Sequence, residues 1–252
     1  MRRLLYCVAH TLTGRYIHLE NYVLTKKSTL KEKKIDLHAF KERTEYELKY
    51  LRSYVVDISE AISEKGESLE QSMIADIDSS PDDEEILVDL FNKEISKLKS
   101  YFYHSSIVLV YTLLESTLSH LTTEIKNCTN SKLALQDLND NNIIRKSIKF
   151  IDLICSVDLK NEKKLYDRIC EFQQLRNQIV HQNSRVKGQD EKSLKKNAIA
   201  LKATFPMIEI NEDSWDFHIT ESSLIEELVN VVDAFIAVAI EDIEKQVFIV
   251  QS

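Results

Sequence analysis

The 252-residue chain carries 41 acidic against 33 basic residues, a formal net charge of −8, so it is no general polyanion binder and any nucleic-acid contact must be local. Hydrophobic residues make up 43%, enough for a sizeable core, while only 3 Gly and 2 Pro argue against a turn-rich β fold and for long helices. The four cysteines, Cys7, Cys128, Cys155 and Cys170, show no C-x-x-C spacing, which speaks against a zinc site and for free thiols in a reducing cytoplasm.

The opening "MRRLLYCVAH" is too short in apolar residues for a signal peptide and far too short to span a membrane. Residues 1–29, ending in a basic stretch, read as a leader or a short helical extension, and residues 30–252 as a single helical domain. From about Leu30 to Ser63 the apolar residues Ile35, Leu37, Phe40, Tyr46, Leu48, Leu51, Val55 and Ile58 form the stripe of a charged helix, and "SEKGESLEQS" is expected to interrupt it. "SSPDDEE" reads as a helix start, with Ser80 as N-cap, Pro81 at the first position and acids in the first turn. The helix that begins there meets no Gly or Pro until about Asn127.

Its second half, "SSIVLVYTLLESTLSHL", is apolar on nearly all sides and is expected to be the central buried helix. His104 and His120 flank it and are expected to pack or hydrogen-bond. "NCTNSKLALQDLNDNN" is a loop with a short helical turn, followed by helices over Ile143–Val157 and Asn161–Gln182. After Asn183 the texture turns polar and loop-like in "SRVKGQDEKSLKKN". β-branched and aromatic residues around "NEDS" then predict a hairpin, on which Trp215, Phe217 and His218 make a small satellite core or a surface for stacking bases. Ser222 and Ser223 cap a last apolar helix, about Leu224–Phe248. The fold class is therefore all-α, an antiparallel helical bundle with a polar and β insertion at about 184–220.

One stretch carries chemistry. In "EFQQLRNQIVHQN", with about 100° per residue, Arg176 falls in the middle of the arc formed by Leu165, Ile169, Phe172, Ile179 and Val180. Asn177 and His181, four residues apart, share a neighbouring ridge, and Gln173 lies between the two sets. A guanidinium inside a core requires a partner, and the acid within the most apolar helix is Glu115, so the two are expected to approach directly or through a network.

"LRNQIVH", following a long helix of the "SIVLVYTLLESTL" kind and preceding a final apolar helix, resembles the R-x4–6-H signature of HEPN domains over about residues 80–250. The resemblance implies an all-α bundle that dimerises with its motif helices facing. Many members are metal-independent endoribonucleases in toxin–antitoxin and defence systems. Carried over by position, Arg176 and His181 would be catalytic and Asn177 would help place them, with Glu115 and Gln173 in support. No metal and no cofactor are implied. The partners are an RNA substrate, a second copy of the chain and an antitoxin or regulatory protein. Some members that pair with a nucleotidyltransferase antitoxin carry a tyrosine two positions after the histidine, where this chain has Asn183; neutralisation by that route is not expected.

These residue types suit the reaction. RNA supplies its own 2′-OH as nucleophile, an imidazole titrating near pH ~6.5 can take or give its proton, and an arginine fork can meet charge growing on the phosphate. A second copy would supply the second histidine. Arg185, Lys187, Lys192, Lys195 and Lys196 follow the motif and can guide an RNA backbone or form a solvated loop. The competing readings are a non-catalytic module of the same shape that binds a partner protein or a nucleotide, or a plain structural scaffold.

Overall fold

A computed structural model describes residues 37–249, with side chains described through residue 246. Expectations on residues 1–29, on Cys7 and on the helix before residue 37 lie outside the described residues. Over the described residues the chain is all-α apart from one short antiparallel hairpin, placed before the last of their helices. The six helices among the described residues are α1 (His38–Ser79), α2 (Glu84–Thr129), α3 (Ile143–Cys155), α4 (Lys163–Gln182), α5 (Glu191–Thr204) and α6 (Ser223–Ile249). The strands are β1 (Ile208–Ile210) and β2 (Phe217–Ile219). No helix among the described residues is long and apolar enough to cross a membrane. Cys128, Cys155 and Cys170 are free, and burial pushes the Cys155 thiol up to about 12.

The described chain divides into two compact units. One holds the described residues up to Glu42 with Glu115–Glu162 and the chain from Ile236 on; the other holds Arg43–Leu114 and Lys163–Phe235. In the first unit, the amphipathic α3 buries Ile144, Ile148, Ile151 and Ile154, the i, i+4, i+7 spacing of one helical face. Asn142 caps its start by accepting from the Arg145 amide at 2.8 Å, and Ser156, at φ 61°, ends it in the left-handed region. Leu118, Leu121, Ile125, Phe150, Ile240 and Ile243 complete that unit's core.

In the second unit, Leu48, Leu51, Ile107, Val110, Phe172, Phe205, Phe217, Leu228 and Val232 are the buried centre. Two expectations are corrected there. The interruption at "SEKGESLEQS" does not occur, and α1 runs unbroken to Ser79. A lone glycine costs a helix only ~1 kcal/mol, the remaining residues of that stretch tolerate helix, and Gly66 lets α1 approach Ile95 of α2 closely. The helix start at "SSPDDEE" forms as expected, with Pro81 at the first position of a 3-10 turn, but Ser80 makes no side-chain cap bond.

The second correction is α5, in a stretch that reads as loop. Asp190 accepts from the Ser193 amide at 2.7 Å while Ser193 Oγ accepts from the Asp190 amide at 3.1 Å, a reciprocal cap that starts the helix. Ala198 and Leu201 then provide a narrow buried stripe. In the hairpin Ile208 pairs with Ile219 and Ile210 with Phe217, leaving Glu209 opposite His218 on the other face. The Asn211 side chain closes its turn by accepting from the Asp213 and Ser214 amides at 2.9 and 3.0 Å.

Candidate functional site

The motif helix α4 ends where its sequence demands. Asn183 and Ser184 both adopt positive φ, 50° and 61°, and the Ser184 amide donates back to the Gln178 carbonyl at 3.1 Å, the bond of a Schellman-type stop. The chain then runs beside β2: Phe217 donates to the Ser184 carbonyl at 2.8 Å and Val186 to the Trp215 carbonyl at 2.9 Å. This pairing fixes residues 184–186 against the hairpin, and with them the end of the motif helix.

On α4, Ile169, Phe172 and Leu175 are buried, and Arg176 lies half-buried beside them as the periodicity predicts. Its Nη1 donates to Asn177 Oδ1 at 3.2 Å, and its Nε is buried with no partner. Glu115, the expected partner, belongs to the other compact unit, and within its own unit Arg176 is bonded to no described carboxylate. Gln173 and Asn177 are half-buried, whereas His181 is exposed in the last turn and Val180, predicted on the apolar arc, is 46% exposed. The helix thus presents an uncompensated cation and, five residues on, a solvent-facing imidazole.

The arginine of α4 that does have carboxylate partners is Arg168. It donates to both Glu227 oxygens at 2.7 and 2.9 Å, to Glu171 at 2.6 Å and to the Thr204 carbonyl at 3.1 Å. Its guanidinium also lies 4.7 Å from the Phe172 ring centre and 4.6 Å from that of Phe205. Sequence periodicity singles out Arg176, the arginine left uncompensated, and passes over Arg168.

The basic run after the motif is split between elements. Arg185 donates from Nε to the Ser214 carbonyl at 2.9 Å, which ties it to the hairpin turn. The Lys187 carbonyl accepts from Asn197 at 2.6 Å. Lys192, Lys195 and Lys196 stand on α5 at spacings that put them on one face, with Lys195 paired to Glu191 at 2.6 Å.

Sequence reasoning missed a cavity of about 670 Å³ that opens between α2, the end of α4 and the hairpin. Ser100 and His104 of α2, Ser184 and His218 line it. His104 Nδ1 is 2.8 Å from Ser184 Oγ and 3.3 Å from Ser100 Oγ, and His218 Nδ1 is 3.1 Å from the same Ser100 Oγ. His104 is only 7% exposed, its ring meets Phe217 edge-on at 5.4 Å, and its Nε2 is buried without a partner. Burial, and next the charge of neighbouring His218, push its imidazole down to about 4, so it is neutral at pH 7. A signal was present: Lys93, Lys97, Ser100 and His104 recur at helical spacing in "KEISKLKSYFYH".

No protein-family model matches the chain, and no curated protein or solved structure resembles it significantly.

Proposed function

We propose that the chain is a metal-independent endoribonuclease of HEPN type, toxic or defensive in role, acting as a homodimer. One observation supports this reading: Arg176 is half-buried, tethered by Asn177 and bonded to no described carboxylate of its own unit, five residues before an exposed histidine. A guanidinium kept out of ion pairs inside a protein is costly, and the cost is recovered when an anion arrives. A phosphodiester is such an anion.

In this reading His181 takes the proton of the ribose 2′-OH as that oxygen attacks phosphorus. The bond to the 5′ oxygen breaks, and Arg176 stabilises the charge on the non-bridging oxygens. The leaving oxygen gains its proton from His181 of a second copy, so the products end in a 2′,3′-cyclic phosphate and a 5′-hydroxyl. Asn177, one helical turn before His181 and bonded to Arg176, positions both.

The test compares wild type, His181→Ala and Arg176→Ala on total RNA and on tRNA with EDTA present. Cleavage by wild type to cyclic-phosphate ends, lost in both variants, is expected. Because His181 is exposed, its variant should keep wild-type stability within about 0.5 kcal/mol. A folded, dimeric wild type that cuts neither substrate refutes the nuclease and leaves a non-catalytic module that binds a partner protein.

A further inference from the structure

Helix α1 carries three tyrosines on the side away from the core. Leu48, Leu51 and Val55 are its buried stripe. At about 100° per residue Tyr46, Tyr50 and Tyr54 fall on the opposite side, each about 6 Å further along the axis than the last. They are 58%, 56% and 36% exposed, so Tyr46, which the apolar pattern counts with the buried stripe, faces outward. Exposed apolar residues scattered singly need no explanation, but three rings in line make a continuous aromatic ridge.

The ridge is arranged before anything meets it. The Tyr46 hydroxyl donates to Tyr50 Oη at 3.0 Å, and the two ring centres lie 4.6 Å apart with the planes tilted by 54°. Rings that already rest on one another lose little freedom on docking, and tyrosine presents a large area on few rotatable bonds. Tyrosine is also among the residues that carry most of the binding energy where proteins meet.

The charges along the ridge decide what covers it. Counted outward from Tyr50, the ridge places Glu47 opposite Ser53, Tyr46 opposite Tyr54 and Arg43 opposite Asp57, all on one side of the helix. A two-fold axis through Tyr50 therefore lays the ridge antiparallel on its own copy, with every tyrosine on a tyrosine and Arg43 on Asp57 at both ends. Asp57 is exposed and makes no ion pair among the described residues. Arg43 has a contact within its own chain, but a guanidinium carries five donors and can hold a second acceptor. A parallel copy would set Arg43 on Arg43 and Asp57 on Asp57. A nucleic-acid strand stacked on the rings would meet the carboxylates of Glu47 and Asp57 beside them, against one arginine.

We propose that this ridge is a self-association surface whose occupant is a second copy of the chain, docked antiparallel on α1 about Tyr50. From Arg43 to Asp57 the ridge is about 21 Å long, and a helix pair of that length buries less than the ~800 Å² per partner of a standard interface. The contact is therefore weak and forms at high local concentration. None of its residues belongs to the Arg176–Asn177–His181 set, so it is a second interface, distinct from the one the nuclease reading requires. A dimer held at α4 that pairs again at α1 becomes a tetramer or a longer assembly.

The test joins a short bismaleimide cross-linker, with linked peptides read by mass spectrometry, to sedimentation of the full chain over a range of concentrations. Tyr50→Cys is expected to link to its own copy far faster than Ser72→Cys, a control at an exposed position further along α1. Tyr46→Cys mixed with Tyr54→Cys should link one variant to the other in preference to either with itself. The reverse preference overturns the antiparallel docking. Average mass should rise with concentration, and Arg43→Glu or Asp57→Arg should each weaken that association about tenfold, while the two changes together restore it. All these positions are exposed, so the variants keep the fold. Linking of Tyr50→Cys no faster than the control, or association that Tyr50→Ala leaves unchanged, overturns the proposal. Tyrosines protected from nitration in a chain whose mass does not rise with concentration overturn it in favour of a covering segment of the same chain. The Tyr50→Cys link is expected to persist in His181→Ala, so failure of the nuclease reading leaves this result standing.

Discussion

His104 offers the sharpest physical test of the cavity floor. Folding moves this imidazole from an ordinary value near 6.5 down to about 4, first through burial and then through the charge of His218. Folded His104 therefore holds its proton more weakly than the unfolded chain does. Between those two values the unfolded state takes up a proton that the folded state refuses, so the contribution is fully present above pH ~6.5 and is lost as pH falls through about 4. The linkage relation gives a loss of about 2 kcal/mol at pH ~5 and about 3 kcal/mol at pH ~4. The assay is urea unfolding of wild type and His104→Gln across this window. Carboxylates titrate alike in both proteins, so the difference between the curves isolates the imidazole. The variant should start less stable near neutrality and close the gap by about 3 kcal/mol on acidification. Parallel curves would show that His104 is hydrated in solution and would refute the buried relay.

Three substitutions probe the frame around the sites. Gly66→Ala adds a Cβ 3.3 Å from the flexible end of the Ile95 side chain, and the gain in helix propensity should outweigh that contact, stabilising by about 0.5 kcal/mol in thermal unfolding. Gly188→Ala places a Cβ 2.7 Å from Leu194 Cγ and 2.8 Å from the Leu194 backbone nitrogen, which should cost about 2 kcal/mol in the same measurement. Arg168→Ala removes a forked bond to Glu227 and two aromatic contacts at a side chain 19% exposed; a loss of about 2 kcal/mol by denaturant titration is expected, and a neutral result would show that the cluster adds nothing to stability.

The long helices were legible because their signals are local. Pro81, with acids behind it, marks a start, and the apolar run from Ile107 to Leu121 can satisfy itself only by burial. The hairpin was legible from the β-branched and aromatic residues on either side of "NEDS", and the structure adds the Asn211 bonds that close its turn. Gly66 misled because a breaker's cost is small beside the propensity of a helix of 42 residues. Helix α5 was hidden because its cap is made by Asp190 and Ser193 inside a polar stretch, and its buried face amounts to little more than Ala198 and Leu201. Arg176 was placed in the middle of the apolar arc and is half-buried, while Val180 of the same arc is exposed, and periodicity gives a residue's side of a helix and not its partners. The same gap concealed the cavity: Ser100 and His104 lie one turn apart, while Ser184 and His218 reach them from residues 80 and 118 positions away in sequence.

The turn at Asn183 and Ser184 closes the helix that carries Arg176 and His181, and its serine is also one end of the hydrogen-bond chain under the cavity. The turn therefore ties two pieces of local geometry together: a substitution that changes the backbone conformation of Ser184 displaces both the end of α4 and the Ser184–His104 contact.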